Sequence, residues 1–337
     1  MGLTPTYQLS LNGRDITPRL EGRLLSVSVQ DQAGIASDSV TVTLDDRGEN
    51  LALPPIGGTL SVSLGYQETG LIPLGRFVID EVECQGPPSV MVVQGKAADM
   101  NQELKAPKTR TWQQQGNPSP KYLLKSLLET IAGEHGLTPV LGQDYDAVGY
   151  DVIHQSNESD LQLLTRLSRK LDAVTKPVNG HLVLVKRGQV KAASGLVLPS
   201  TTLSKRDVMT WQYRMTERER YQSVSARYSV KAEAKDKRVK VGDGKPSYAI
   251  RTLFPNEEEA KAAAQSQLAA FQRGERQVAL TLPGMPTLAA EQGINLMGFR
   301  EGVNGEWVAE KVGHRLSGDG LVTELSLVPK QDENGEK

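Results

Sequence analysis

Two pairs of closely spaced carboxylates, Asp45-Asp46 and Asp144-Tyr145-Asp146, are the residues of this chain best suited by type to acid–base chemistry. Cleavage of a glycosidic bond, the reaction such pairs serve, needs two carboxyls flanking one bond, roughly 5–10 Å apart. Asp45 and Asp46 end a β-like run, where neighbouring side chains point to opposite faces, and Asp144 and Asp146 fall in a polar loop. Both pairs read as turn and surface groups, although carboxyls from distant positions could still meet in a fold. The four histidines, His135, His154, His181 and His314, are scattered and share no helical or hairpin ligand spacing. No Gly-x-Ser-x-Gly elbow, phosphate-binding loop or dinucleotide fingerprint occurs. Cys84 is the single cysteine, so it makes no disulfide within the chain and reads as a small core hydrophobe. The expectation is no catalytic residue, no metal and no cofactor.

Charge is distributed unevenly although the whole chain is only −1. Residues 1–100 carry 6 basic and 12 acidic side chains, whereas residues 205–255 carry 13 basic and 6 acidic. In the basic stretch Trp211, Tyr213, Tyr221 and Tyr228 interleave with arginines and lysines from Arg214 to Lys240. Basic strands with aromatics can stack single-stranded nucleic acid. The alternation of Trp211 and Tyr213 instead favours aromatics on a buried face and arginines on a wet one, so sequence-specific nucleic-acid binding is not expected. Segregated charge also steers copies of a protein onto each other or onto a charged partner.

The elements that position these groups begin with a repeat. Gly75-Arg76-Phe77-Val78-Ile79-Asp80-Glu81-Val82 and Gly305-Glu306-Trp307-Val308-Ala309-Glu310-Lys311-Val312 both read Gly-x-aromatic-Val-x-x-x-Val, and each follows a Gly-aromatic pair, Gly65-Tyr66 and Gly298-Phe299. A second leg lies upstream. Leu25, Val27 and Val29 alternate with serines before Asp38–Leu44; Trp211 and Tyr213 alternate with polar residues before Gln222–Tyr228. Period-two alternation marks strands with one buried face. The chain is thus predicted to hold two related β units, the second with room for a helix between its legs. Aromatics are scarce (5%), so the cores must be built from Val, Leu, Ile and Ala.

Residues 1–104 read as the first β unit, with a hairpin turn at Asn12-Gly13. After a linker at Gln113–Pro118, Ser119 and Pro120 are suited to start a helix carrying Leu123, Leu124, Leu127, Leu128 and Ile131, closed by Gly133 or Gly136. A second helix is predicted from Ser159, with Gln162 as its capping-box partner and Leu161, Leu164, Leu167 and Leu171 on its face. A hairpin across Asn179-Gly180 completes an α/β insertion over 105–202. The second β unit spans 203–330, with a helix near 256–273 opened by Asn256 and three glutamates, and 331–337 form a polar tail. No run approaches the roughly 20 apolar residues of a membrane helix, and the N-terminus lacks the features of a secretory signal. Folding in a reducing cytoplasm, without a membrane anchor, is expected.

These segments, taken in order, resemble the late control protein D family, hub proteins of contractile-tailed temperate phages and R-type pyocin-like particles. The resemblance is carried by Asp31–Ser39, Gly65-Tyr66, Leu74–Val82, Gly95–Asp99, Glu158–Leu161, Leu282-Pro283-Gly284, Trp307, Val312-x-His314 and Gly320-x-x-Thr323, and covers essentially the whole chain. One departure is Glu291-Gln292, where the family more often has Gly-Gln. The resemblance implies a mainly β fold with an α/β insertion (α+β): two tube-like β-barrel domains, a small α/β domain and an extra helix in the second β unit. It implies a homotrimer whose six β units join a hexameric tail tube to a trimeric central spike. Its partners would be the spike protein, the tube protein or a tube initiator, the tape-measure protein and other baseplate proteins, in a virion or tailocin particle assembled in the host cytoplasm. The opposed charges of the two units suit contact between subunits, with Arg214, Arg218, Arg220 and Arg227 as the candidate contact residues. A cell-wall hydrolase of the tail tip and a carbohydrate-binding β-protein are the alternatives.

Overall fold

The computed structural model describes residues 2–33, 38–97, 102–115, 121–178, 180–187, 199–216, 221–230 and 235–330. Alternating apolar residues fix the first unit: β1 (Pro5–Leu11), the two-residue β2 (Arg14–Asp15), β3 (Leu24–Gln32), β4 (Ser39–Asp45), β5 (Thr59–Tyr66), β6 (Gly70–Gln85) and β7 (Val90–Ala97). Asn12 and Gly13 turn β1 into β2 with φ of 50° and 78°, the left-handed pair a tight hairpin requires. Val27 and Val29, Val40, Val42 and Leu44, and Leu60, Val62 and Leu64 share one face and close over Phe77 and Ile79. Aliphatic burial on that face is the main driving force for the unit.

Between the two units lie β8 (Pro107–Trp112), β9 (Tyr122–Leu123), α1 (Leu124–Glu134), β10 (Thr138–Leu141), β11 (Gly149–Tyr150), β12 (Ile153–Ser159), α2 (Asp160–Lys170), β13 (Ala173–Val178) and β14 (His181–Lys186). Helix α1 begins one turn later than the sequence suggests. Its N-cap is Leu123, without a side-chain cap; Ser119 and Pro120 lie outside the described residues. Leu124, Leu127, Leu128 and Ile131 are buried as the periodicity requires, while Leu123 stays exposed outside the helix. The box on α2 forms as read: Ser159 Oγ accepts from Gln162 N at 3.2 Å, and Gln162 Oε1 accepts from Ser159 N at 3.0 Å.

The second unit comprises β15 (Thr201–Ser204), β16 (Thr210–Met215), β20 (Arg276–Pro283), β21 (Gly293–Met297), β22 (Gly305–Ser317) and β23 (Gly320–Pro329). It is interrupted by β17 (Ser223–Val230), β18 (Lys235–Val241), β19 (Ser247–Phe254) and α3 (Glu257–Glu275). The duplication extends to register. Strand order β3-β4-β7-β6-β5 in the first unit corresponds to β16-β20-β23-β22-β21 in the second; the next strand differs, since β1 runs antiparallel to β5 but β15 parallel to β21. Phe77 lies opposite Leu60 and Ala97, and Trp307 opposite Ile294 and Pro329. Both copies carry a bulge three residues after the aromatic, at Asp80 and at Glu310. Before the bulge, Gly57 N donates to Ile79 O and Ile79 N to Gly58 O; Glu291 N donates to Ala309 O and Ala309 N to Gln292 O. Gly57 has φ 82°, and Glu291, the residue that departs from the family pattern, takes the same left-handed conformation at 63°.

Two details of the repeat are corrected. The second leg of copy two is β20, not Gln222–Tyr228: β16 pairs with β20, whereas β17 pairs with β18 and β19 in a separate three-stranded sheet. Ser-Val-Ser alternation records only that a strand has one buried face, and an insertion displaced the true partner beyond α3. The Gly-aromatic pairs are also not equivalent. Gly65 lies within the β5–β6 ladder, where a Cβ would stand 2.1 Å from Gly70 O, whereas Gly298 is a turn residue at φ 76° after β21.

Helix α3 is capped by Asn256, whose Oδ1 accepts from Glu259 N, and it covers the β17–β19 sheet with Ala260, Ala263, Ala264, Leu268 and Phe271. This small sheet has a core of its own, distinct from that of the second unit around Trp307. The two units meet edge to edge. The second half of β22, Lys311–Ser317, pairs antiparallel with β3, so one open sheet runs through both units with β16 and β2 at the ends of its path. The architecture is mainly β, and no closed barrel forms among the described residues. The 331–337 tail, Asn179, and the Gln113–Pro118 linker beyond Gln115 lie outside the described residues.

Candidate functional site: the joints between units

Polar joints hold the modules together and brace the α/β module from within. At the first, Lys311↔Gln32 through Ser317↔Ser26 pair in unbroken register, and Ala33 N extends the ladder to Glu310 O. A Cβ at Gly313 would come 2.7 Å from Gln30 Nε2, the flexible end of that side chain, which would have to move aside. Buried His314 faces the underlying loop: Nδ1 lies 3.0 Å from Thr323 Oγ1 and Nε2 3.1 Å from Leu288 O. Burial lowers its pKa, so the imidazole serves as a neutral hydrogen-bonding strut. Tyr66 Oη donates to Gly284 O at 3.0 Å across the units. That contact explains the Leu282-Pro283-Gly284 segment: a Cβ at Gly284 would meet Leu321 at 2.3 Å and the Tyr66 hydroxyl at 2.7 Å.

The second joint is ionic. Lys176 of β13 donates to Asp38 Oδ1 at 2.6 Å, to Asp31 Oδ1 at 3.2 Å and to Gln32 O at 3.2 Å, while Ala290 N donates to Asp31 Oδ2 at 2.8 Å. One lysine thus ties the central α/β module to the first unit beside a contact with the second. Burial and the neighbouring Asp31 carboxylate push Asp38 up to about 6, against the pull of Lys176. Burial opposes charge on Lys176, but the two aspartates outweigh it and raise its pKa.

The third joint lies inside the α/β module. Asp160, the first residue of α2, has a fully buried side chain. It accepts from Arg110 Nη2 at 2.5 Å, Lys108 Nζ at 2.7 Å, Gln155 Nε2 at 2.8 Å and His135 Nε2 at 2.9 Å. Burial alone would raise its pKa; the hydrogen bonds, that from His135 foremost, hold it well below the usual carboxylate range. Glu134, His135 and Asp160 stand close enough to bracket a cation. Lys108 and Arg110 already occupy both carboxylates, with Glu134 accepting at 3.0 and 2.7 Å, so the cluster is neutralised by protein cations. Sequence spacing missed this node because its members come from β8, α1, β12 and α2; the capping box at Ser159 was its only local sign.

The other candidates disperse. Asp45 bonds Arg47, and Asp46 accepts from Leu51 N; both shape the turn after β4. Asp144 and Asp146 are exposed around a short helical turn. His154 is exposed beside Thr111, and His181 starts β14, so the four histidines do not converge. Cys84 is exposed, contrary to the expected core role: it belongs to the inward-facing series of β6 but lies at an uncovered end. Trp211 and Tyr213 turn inward against Phe299 and Trp307, at centroid separations of 5.7 and 6.4 Å, and Tyr221 packs on Tyr248 and Phe271. Arg214 is exposed on β16 at the sheet edge, Arg227 is exposed on β17 of the small sheet, and Arg218 and Arg220 lie outside the described residues. A cleft of 330 Å³ between α2, α3 and the second unit is bridged by Arg273, which forks onto Asp172 at 2.6 and 2.9 Å.

Two β units that share a bulge and a buried aromatic are thus joined edge to edge in one chain, with an α/β module tied to the first by Lys176. The chain belongs to the phage tail baseplate hub (GPD) family, which matches residues 91–320. It is 27% identical over 371 residues to the probable baseplate hub protein of Escherichia phage 186, covering 97% of this chain and 94% of that one. Among solved structures, the fold matches the 43 kDa tail protein of prophage MuSo2 from Shewanella oneidensis with a TM-score of 0.70 at 13% identity, covering 97% and 99% of the two chains. It also matches the E. coli c3393 protein, a type VI secretion component described as similar to the T4 tail proteins gp27 and gp5, with a TM-score of 0.54 at 12% identity over 94% and 76%. The chain is a phage tail baseplate hub protein, and no described helix is long and apolar enough to cross a membrane.

Proposed function

We propose that this chain is a non-enzymatic hub of a contractile tail or tailocin, assembling as a homotrimer that joins the hexameric tail tube to the trimeric central spike. The observation that carries the reading is the register-level duplication: the two units share strand order, bulge and buried aromatic. Three chains then supply six similar β units, a number that matches a six-fold tube, while the differing insertions leave a three-fold face for a spike. In this reading residues 1–104 and 203–330 are tube-like barrel domains completed by neighbours, and 105–202 form the α/β domain. The tape-measure protein would end in the ring, and a tube protein or tube initiator would stack on it. The similarity of c3393 to gp27 and gp5 supports a spike-facing role.

The test is the mass in solution of the purified chain, alone and with its neighbouring spike protein. Three copies, or three copies with a spike trimer, are expected. A monomer under both conditions would refute the reading.

A further inference from the structure

The β17–β19 sheet and α3 are the part of the second unit that the first lacks: they stand between β16 and β20, whereas nothing comparable separates β3 from β4. This inserted module has its own core, so the duplicated β architecture does not call for it. Helix α3 packs on one face of the sheet, over Val224 and Ala226 with Val239, Val241 and Tyr248 beside them. The register defines the other face. Arg227 of β17 lies opposite Arg238 of β18 on one side and Leu253 of β19 on the other; the next row holds Lys240, Ser225 and Ala249. Arg227, Arg238 and Lys240 are exposed, and Leu253 is 47% exposed. Like charges directly opposite each other destabilise a sheet. Among the described residues neither arginine forms a salt bridge; Asp236, two residues from Arg238 on the same face, does not reach it.

We propose that this face docks an acidic segment of another protein, its carboxylates held by Arg227 and Arg238 and an apolar side chain laid against Leu253. Guanidinium forks match carboxylates with paired, charge-assisted hydrogen bonds, and Lys240 adds a third positive charge one row on. A bound anionic segment turns the repulsion between the two arginines into a shared attraction, so the ligand offsets a cost that the free sheet carries. Nucleic acid fits the face less well. Tyr228 and Tyr248 belong to the α3 side, which leaves no ring among these rows for a base to stack on. Arg227, expected from the sequence to contact a neighbouring subunit, takes a different partner in this reading. The inference goes beyond the ring and does not depend on it.

The probe is a fluorescein-labelled peptide, Glu-Glu-Leu-Glu-Glu-Leu-Glu-Glu, titrated against the full chain at low salt by fluorescence anisotropy. Arg238→Glu should weaken binding about tenfold or more, Leu253→Ser should weaken it about threefold, and a peptide with glutamine for glutamate should not bind. Lys125→Gln with Lys261→Gln, which removes two exposed positive charges from α1 and α3, should leave affinity unchanged. Arg238→Glu should also raise the melting temperature by about 1–3 °C, because an acid then faces Arg227. That rise separates a lost binding site from a damaged fold. Equal weakening by the distant lysine pair, tighter binding of a labelled oligothymidylate through the same arginines, or a lowered melting temperature overturns the acidic-segment site. So does loss of self-association in Arg238→Glu, which would make the face a contact between copies. The mass of the chain with its spike protein tests the ring separately, so either reading can fail alone.

Discussion

Replacing Asp160 with asparagine should cost about 4 kcal/mol at neutral pH, and the cost should shrink in acid. The carboxylate is fully buried and accepts from Arg110, Lys108, Gln155 and His135 within 2.9 Å. An amide of the same shape keeps one acceptor and turns an NH₂ towards donors, so the two cations lose their buried counter-charge apart from Glu134. Breaking one partner of a buried pair typically costs about 3–5 kcal/mol, and the helix N-terminus loses a stabilising negative charge of about 0.3–1 kcal/mol. The pH dependence has a definite sign. The folded pKa is depressed, so the stability from ionised Asp160 is full above the unfolded value of about 3.9 and drains as pH falls towards the folded one. Urea unfolding of both proteins from pH 7 to pH 3, followed by far-ultraviolet circular dichroism, measures the gap. It should be constant above about pH 5 and narrow below about pH 4. A gap under about 1 kcal/mol at pH 7, or one unchanged down to pH 3, would refute the role assigned to this node.

Lys176→Met should leave Asp31 and Asp38 facing each other without a cation, costing about 3 kcal/mol. Asp38 already titrates near 6, above its unfolded value, so its contribution is full below about pH 4 and lost as pH rises through 6. The lysine variant should therefore be closer to wild type at pH 5 than at pH 8 in thermal melts, and the reverse order would sink the assignment. Trp307→Ala removes a ring only 4% exposed whose Nε1 donates to Val303 O at 2.8 Å. The expected cost is about 3–5 kcal/mol in chemical denaturation, and a change below about 0.5 kcal/mol would mean the ring is not core. Glu291→Gly should stabilise by roughly 0.5–1 kcal/mol, since Glu291 holds a φ of 63° where the first unit has Gly57; a lowered melting temperature would contradict it.

What the sequence made legible was whatever depends on local period. The alternating strands β3, β4 and β16, the α2 capping box, the helix opening at Asn256 and the buried face carrying Trp211 and Tyr213 follow from spacing alone. Partner choice was not legible. Ser223–Val230 looked like the counterpart of Ser39–Leu44 because period-two alternation describes a strand's face and says nothing of its neighbour, and an inserted sheet and helix separated β16 from β20. The start of α1 was misjudged for a related reason: Ser119-Pro120 has good capping chemistry, but Leu123 entered a short pairing with Gly149 instead. The Asp160 and Lys176 nodes were invisible because, apart from Gln155, their cations and carboxylates meet across long stretches of chain, 24 positions for Arg110 and Glu134 and 145 for Lys176 and Asp31.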